Sequence, residues 1–252
     1  MRWLDAELPG ARAAFSTRTG GVSGEPYTSL NLAVLTGDDV AAVRENRHRL
    51  AGALGLDPGG VLIGRQVHGA EVIRRETPPL PNRYVEPKPA TNDERARVDE
   101  ADGQATSAPG LAPLVFVADC LPVALAGPGG VAMVHCGWRG LAAGIVERGV
   151  GEVDAAAAAI GPGIGPCCYE VGDEVLQAFD WLGPGIADGR MLDLREVACR
   201  LLERAGVERV ESSDLCTSCN PELFFSHRRD GERTGRQAGL VWSEDVAGEM
   251  SP

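Results

Sequence analysis

Between residues 115 and 144 apolar positions arrive in three short runs. The first, 115–117, leads into Ala118-Asp119-Cys120. The second, 121–126, stops at Gly127-Pro128-Gly129-Gly130. The third, 131–134, ends in His135-Cys136-Gly137-Trp138-Arg139-Gly140. Short runs of β-formers around a Gly/Pro turn predict strands and a hairpin. Residues 141–158 read mainly as helix, which places Arg139 at a helix N-terminus, where free N–H groups and the dipole favour anions. Cys120 and His135 sit where runs end, and loops at strand ends commonly carry chemistry.

The flanking pattern is of the same mixed kind. Residues 13–17 read as a short strand running into a Gly/Ser loop, 18–24, that carries Arg18. Asp38-Asp39 caps a helix with Val40, Val43, Leu50 and Leu54 at helical spacing and Gly55 at its stop. His48 on it reads as a solvated residue. Residues 61–63 begin a strand that passes through Gln66-Val67-His68-Gly69 to Val72-Ile73. From 77 to 100 prolines alternate with charge and no period survives, which predicts a long exposed excursion. Residues 157–160 read as a buried strand, and 192–205 as an amphipathic helix with Leu194, Val197, Ala198, Leu201 and Leu202 as its stripe. Residues 224–229 read as strand with a basic end, and 234–242 as a final strand.

Composition narrows the class. With 252 residues and 44% hydrophobic content the chain can bury a large core, and with no linker or repeat it reads as one domain, 1–252. A net charge of −12 argues against nucleic acid and anionic membranes as partners. There is no spanning apolar run and no signal core at the N-terminus, so a cytoplasmic location is expected. Seven cysteines, an odd count, point to free thiols, metal ligation or a catalytic thiol.

The chemistry collects on few residues. Only four histidines are present: His48, His68, His135 and His227. His68, Cys120 and His135 together would satisfy a catalytic zinc site, which takes three N or S ligands and an open position. Asp119, Asp102 or a backbone carbonyl would orient the imidazoles. A Cys–His pair with Cys120 as nucleophile uses the same residues, and spacing does not choose between the two. Cys167 and Cys168 read as packing residues. Cys216 and Cys219 have C-x-x-C spacing without a second half-site, and read as a surface turn with reduced thiols. Arg18, Arg139 and Arg236 are candidate anion ligands, while Arg228 and Arg229 are open to either a surface or an anion role.

Several segments jointly resemble one family. Residues 16–23 (Ser-Thr-Arg-Thr-Gly-Gly-Val-Ser), Gln66-Val67-His68-Gly69, Ala118-Asp119-Cys120-Leu121-Pro122-Val123 and His135-Cys136-Gly137-Trp138-Arg139-Gly140 are similar to motifs of the YfiH family, also called the laccase-domain or multicopper polyphenol oxidase family. So are residues 160–171, with Cys167-Cys168-Tyr169-Glu170, and 228–237, with Gly235-Arg236-Gln237. Cys136 stands where Ala is usual, Gly163 where Cys or Ser is frequent, and Ser218 where an aromatic is common. The resemblance implies a single-domain α/β sandwich of two packed mixed β-sheets flanked by helices. It implies zinc held by His68, Cys120 and His135. It implies phosphorolysis of adenosine, inosine or methylthioadenosine to base and ribose 1-phosphate, with adenosine deamination associated. Purine nucleoside and phosphate are then the partners, and a homodimer is admitted. Arg18, Arg139 or Arg236 would clamp the phosphate. A single copper in place of zinc is the alternative metal, and the competing function is a copper-dependent polyphenol oxidase. It ranks lower because such oxidases need many imidazoles. A metal-free Cys–His hydrolase and a binding protein follow.

Overall fold

The computed structural model describes residues 1–87 and 99–244. In the first part of the chain lie β1 (Trp3–Leu8), β2 (Ala11–Ser16), α1 (Val40–Leu54), β3 (Val61–Leu62), β4 (Val72–Arg74) and β5 (Gly103–Thr106). The central part carries β6 (Ala112–Val117), β7 (Leu121–Gly127), β8 (Gly130–Cys136), α2 (Trp138–Ala142), α3 (Ile145–Val153) and β9 (Ala157–Ile160). Then come α4 (Asp173–Phe179), β10 (Ala187–Asp188), β11 (Met191–Leu192), α5 (Leu194–Arg204), β12 (Arg209–Ser212), α6 (His227–Asp230) and β13 (Gln237–Ser243).

Two mixed sheets stack face to face. One runs β1-β2-β13-β6-β3 and the other β12-β9-β7-β8-β5-β4. The period-2 alternation of strands decides what faces what. On β7, Ala124 and Ala126 face the inter-sheet core, while Leu121, Val123 and Leu125 face the helices on the outer side. On β9, Ala157 and Ala159 look inward between the sheets and Ala158 and Ile160 outward. Small alanines on the inner faces leave room for Phe15 and Met133 there. Helices α3, α4 and α5 cover the outer face of the six-stranded sheet. Helix α1 covers the other sheet through Leu50, packed with Leu114 and Leu240. Among the described residues no helix is long and apolar enough to cross a membrane.

Local signals explain most helix ends. Asp39 caps α1 by accepting from the Ala41 N–H, and Gly55 ends it at φ 71. Asp193 caps α5 with bonds from Arg195 and Glu196 N–H groups. The helix expected over 141–158 is instead two: Gly144 at φ 87 separates α2 from α3, and Asp154 at φ 49 ends the second. The strand expected from 61 to 73 is also two, and β3 and β4 belong to different sheets. Residues 224–229 are not a strand. Phe224 and Phe225 are buried, and Ser226 caps the four-residue helix α6.

The Pro-rich stretch is not exposed throughout. Leu80 is exposed, but Tyr84 is fully buried, and residues 88–98 lie outside the described part. Arg47 of α1 holds this stretch down. Its Nε donates to Leu32 O at 2.7 Å and its Nη1 to Arg83 O at 2.8 Å and Tyr84 O at 3.3 Å. Tyr84 OH donates back to Arg47 O at 2.9 Å, and the guanidinium stacks on the Tyr84 and Phe116 rings. Arg47→Met keeps apolar bulk but leaves buried carbonyls unpaired. It is expected to cost on the order of 3 kcal/mol. That corresponds to roughly 6–12 °C in Tm for a domain of this size. A thermal melt with an unmoved midpoint would refute this anchoring role.

Candidate active site

The site forms where the chain changes sheets. It crosses once between β3 and β4, carrying His68, and once between β6 and β7, carrying Cys120. His135 stands near the end of β8. Both crossings bend through left-handed backbone at non-glycine residues, His68 at φ 60 and Asp119 at φ 102. Such conformations are costly and persist only when neighbours impose them.

Asp102 imposes the first. This fully buried carboxylate accepts from the N–H groups of Val67 at 3.0 Å, His68 at 2.9 Å and Gly69 at 2.8 Å. Its Oδ1 also lies 2.8 Å from His135 Nδ1. One carboxylate therefore shapes the His68 loop and orients the His135 ring, directing Nε2 away from itself. Burial opposes its charge, but the bonds from His135 and the backbone outweigh this and hold it below the usual carboxylate range. Asp119 does not orient an imidazole. It accepts from Thr217 Oγ1 and from the Arg228 N–H, both at 2.7 Å, and so ties the Cys120 crossing to the Cys216–Cys219 turn and to helix α6.

These supports bring His68, Cys120 and His135 together, with one ligand atom from each lying within 4.8 Å of the others. The two rings meet edge to face, centroids 4.9 Å apart. Burial opposes the Cys120 thiolate, yet the His135 charge and hydrogen bonds from both histidines lower the thiol to about 6. Burial likewise opposes the His135 cation, and the Cys120 sulfur and Asp102 raise it to about 9. The sulfur is thus held in the form that binds metals or attacks electrophiles. Two imidazoles, a thiolate and a carboxylate behind one imidazole are a donor set suited to a catalytic zinc.

Gly137 leaves room for this corner. A Cβ there would lie 3.0 Å from Cys120 Sγ and 3.3 Å from His68 Cδ2. Its φ of −83 is open to alanine, so the constraint is steric. Gly137→Ala is expected to bind metal roughly tenfold or more weakly, with the melting temperature little changed. Chelator competition on the folded variant measures this, and wild-type affinity would contradict it.

The three residues open onto a cavity of about 500 Å³. Trp138, Tyr169 and Phe116 contribute its aromatic wall, and Arg139, Arg228 and Arg236 are three of the arginines among the residues that line it, beside Arg47, Arg65 and Arg83. Arg139 stacks on Trp138 with its guanidinium 4.4 Å from the ring, and its side chain has no hydrogen bond among the described residues. Arg236 donates through Nη1 to Thr234 O and Gly235 O at 3.0 and 2.9 Å. Arg228 donates to Glu170 O at 2.9 Å and lies over the Tyr169 ring.

Arg18 does not line this cavity. Its guanidinium donates to Thr28 O and Pro221 O and stacks on Phe225. The amides of its Gly-rich loop are occupied as well: Gly20 and Gly21 bond Ser29 Oγ, and Val22 bonds Asn46 Oδ1. A Cβ on Gly21 would lie 2.1 Å from Ser29 O, so that glycine serves close packing. His227 joins the lining although the pattern around it reads as peripheral. Arg228 gave only an ambiguous signal, because a single basic pair does not say which residue faces inward. His48 is exposed on α1, as its helical position suggests.

Residues 12–244 match the family model described as multi-copper polyphenol oxidoreductase laccase. The chain is 37% identical over 246 residues to purine nucleoside phosphorylase YfiH of Escherichia coli K12, covering 92% of this chain and 94% of the relative. It is 38% identical over 248 residues to purine nucleoside phosphorylase Rv2149c of Mycobacterium tuberculosis H37Rv, covering 92% of each. The crystal structure of YlmD from Geobacillus stearothermophilus superposes with a TM-score of 0.83 at 33% identity over 96% of both chains. Fold, sequence and the full-length match agree: the chain belongs to the multi-copper polyphenol oxidoreductase laccase family, among relatives named as purine nucleoside phosphorylases.

Proposed function

We propose that this chain is a zinc-dependent purine nucleoside phosphorylase acting on adenosine, inosine or methylthioadenosine. The observation that carries this reading is a single cavity that joins His68, Cys120 and His135 to Arg139, Arg228 and Arg236. Its volume of about 500 Å³ suits a nucleoside. Aromatic side chains offer a purine a stacking surface, while the guanidiniums offer phosphate charge-assisted hydrogen bonds. The relatives are named purine nucleoside phosphorylases, which supports the substrate class.

In the reaction a phosphate oxygen forms a bond to the ribose anomeric carbon as the bond from that carbon to the purine nitrogen breaks. The bonding pair leaves with the purine, which takes up a proton. Arg139 and Arg236 would hold the phosphate and offset its charge as it enters an acidic protein. Trp138 and Tyr169 would exclude water from the reacting carbon. His68, Cys120 and His135 would hold the zinc, which when bound supplies a Lewis acid that polarises an atom of the bound molecule. Asp102 would keep the His135 proton on Nδ1 and leave Nε2 to the metal.

Oxidase chemistry on several copper ions fits this chain less well. It calls for many imidazoles, and the chain has four, one of them exposed on α1. The test is to incubate adenosine and inosine with tag-free protein in phosphate and in phosphate-free buffer, and to separate the products. Free base and ribose 1-phosphate that form only with phosphate are expected. Inosine formed from adenosine without phosphate would mark the associated deaminase activity, and base released equally without phosphate would contradict phosphorolysis. Oxygen uptake with a phenol, and no nucleoside turnover, would favour the oxidase.

A further inference from the structure

We propose that Cys167, Cys168, Cys216 and Cys219 form a second metal site, a tetrathiolate that takes zinc. The four sulfurs lie within 4.8 Å of one another. Cys219 Sγ is 3.5 Å from Cys167 Sγ and 3.4 Å from Cys168 Sγ. Four sulfurs at about 2.3 Å around a tetrahedral zinc stand about 3.8 Å apart, so this spacing is close to that of a loaded site. None of the four lines the cavity described above.

The fold accounts for a convergence that spacing along the chain conceals. Strands β9 and β12 are parallel neighbours, with Ile160 paired to Ser212. The loops leaving their C-terminal ends therefore emerge side by side, and Gly163 bridges to Cys216. One loop carries Cys167 and Cys168 on a tight turn, where the Cys168 and Tyr169 N–H groups both bond Gly165 O. The other is the Cys216–Cys219 turn. There the Gly165 N–H donates to Cys216 Sγ at 3.2 Å. Amides aimed at a sulfur stabilise its thiolate form. Asn220 Nδ2 closes the turn on Cys216 O at 2.8 Å.

Charge and position agree. Zinc with four thiolates carries two negative charges after four protons leave. The Arg229 guanidinium, itself paired with Asp230, stands against the same turn, donating to Thr217 O at 2.9 Å and Ser218 O at 3.2 Å. The metal would clamp two loops that reach the active cavity. Tyr169 follows Cys168 directly and lines the cavity. Thr217, between the other two ligands, holds Asp119 beside Cys120.

The experiment is metal analysis of tag-free protein grown with zinc, together with its intact mass under non-reducing conditions. Wild type is expected to hold about two equivalents of zinc per chain. Cys219→Ser and Cys168→Ser should each drop to about one, and Cys120→Ser to about one by loss of the other site. Cobalt-loaded Cys120→Ser should keep intense thiolate-to-cobalt charge-transfer bands, which tests the site without altering its ligands. Zinc unchanged in Cys219→Ser and Cys168→Ser would overturn the proposal. So would a wild-type mass short by the hydrogens of a disulfide, or no thiolate bands in Cys120→Ser.

Discussion

Asp102→Asn protein is expected to bind the active-site metal roughly 10–100-fold more weakly than wild type and to lose nucleoside turnover in step. The carboxylate accepts four hydrogen bonds in a fully buried position. An amide has one oxygen, so an –NH₂ group must face either the His135 ring together with the His68 N–H or the Val67 and Gly69 N–H groups. Facing the ring, it can be satisfied only by the tautomer that moves the proton to Nε2 and blocks that nitrogen as a ligand. Facing Val67 and Gly69, it meets two N–H groups that need an acceptor, and the loop that holds His68 at φ 60 loses both of those bonds. Asp102→Ala goes further. It leaves three backbone donors unpaired, at about 1–3 kcal/mol each. Chelator competition and thermal melts separate the two effects. Wild-type metal affinity in Asp102→Asn would show that the carboxylate does not organise the site.

Replacing the cavity arginines should leave metal in place and weaken phosphate. Arg139→Ala and Arg236→Ala each remove a guanidinium whose charge-assisted bonds are worth about 1.5–3 kcal/mol. At 1.4 kcal/mol per tenfold, the phosphate KM should rise roughly 10–100-fold in each. Arg139 is the cleaner test, because no hydrogen bond to the protein is lost with it among the described residues, only its stacking on Trp138. Its place on a five-residue helix adds little dipole, so the guanidinium is the main effect. Zinc content should be unchanged and the nucleoside KM should move less. Phosphate KM values unaltered in both variants would remove the anion clamp from the account. Arg18→Ala should leave phosphate KM unaffected, since that side chain lies outside the cavity.

The part of this site that was legible in the sequence is the part written in local pattern. Cys120 and His135 end apolar runs, and the runs are β6, β7 and β8. Asp39 and Gly55 mark α1 because capping is decided by the residues at the cap. What stayed hidden depends on which sheet a strand joins. Alternation marks β3 and β4 as apolar but does not say that they lie in different sheets, and that crossing is what carries His68 to Cys120. Asp102 reads equally well as a turn residue until the loop that wraps it is seen. The Arg18 loop has the composition of an anion nest, but its amides are taken by Ser29 and Asn46, distant in sequence. The four cysteines read as packing and a surface turn for the same reason, because parallel pairing of β9 and β12 unites two half-sites about fifty residues apart.

Phosphate, not water or oxygen, is the proposed second substrate in this cavity. Labelled inorganic phosphate and inosine incubated with zinc-loaded protein address it in one measurement. Label is expected in ribose 1-phosphate, mole for mole with hypoxanthine, and none with Cys120→Ser protein. Hypoxanthine released with unlabelled free ribose, or equal label transfer by the Cys120→Ser protein, would contradict it.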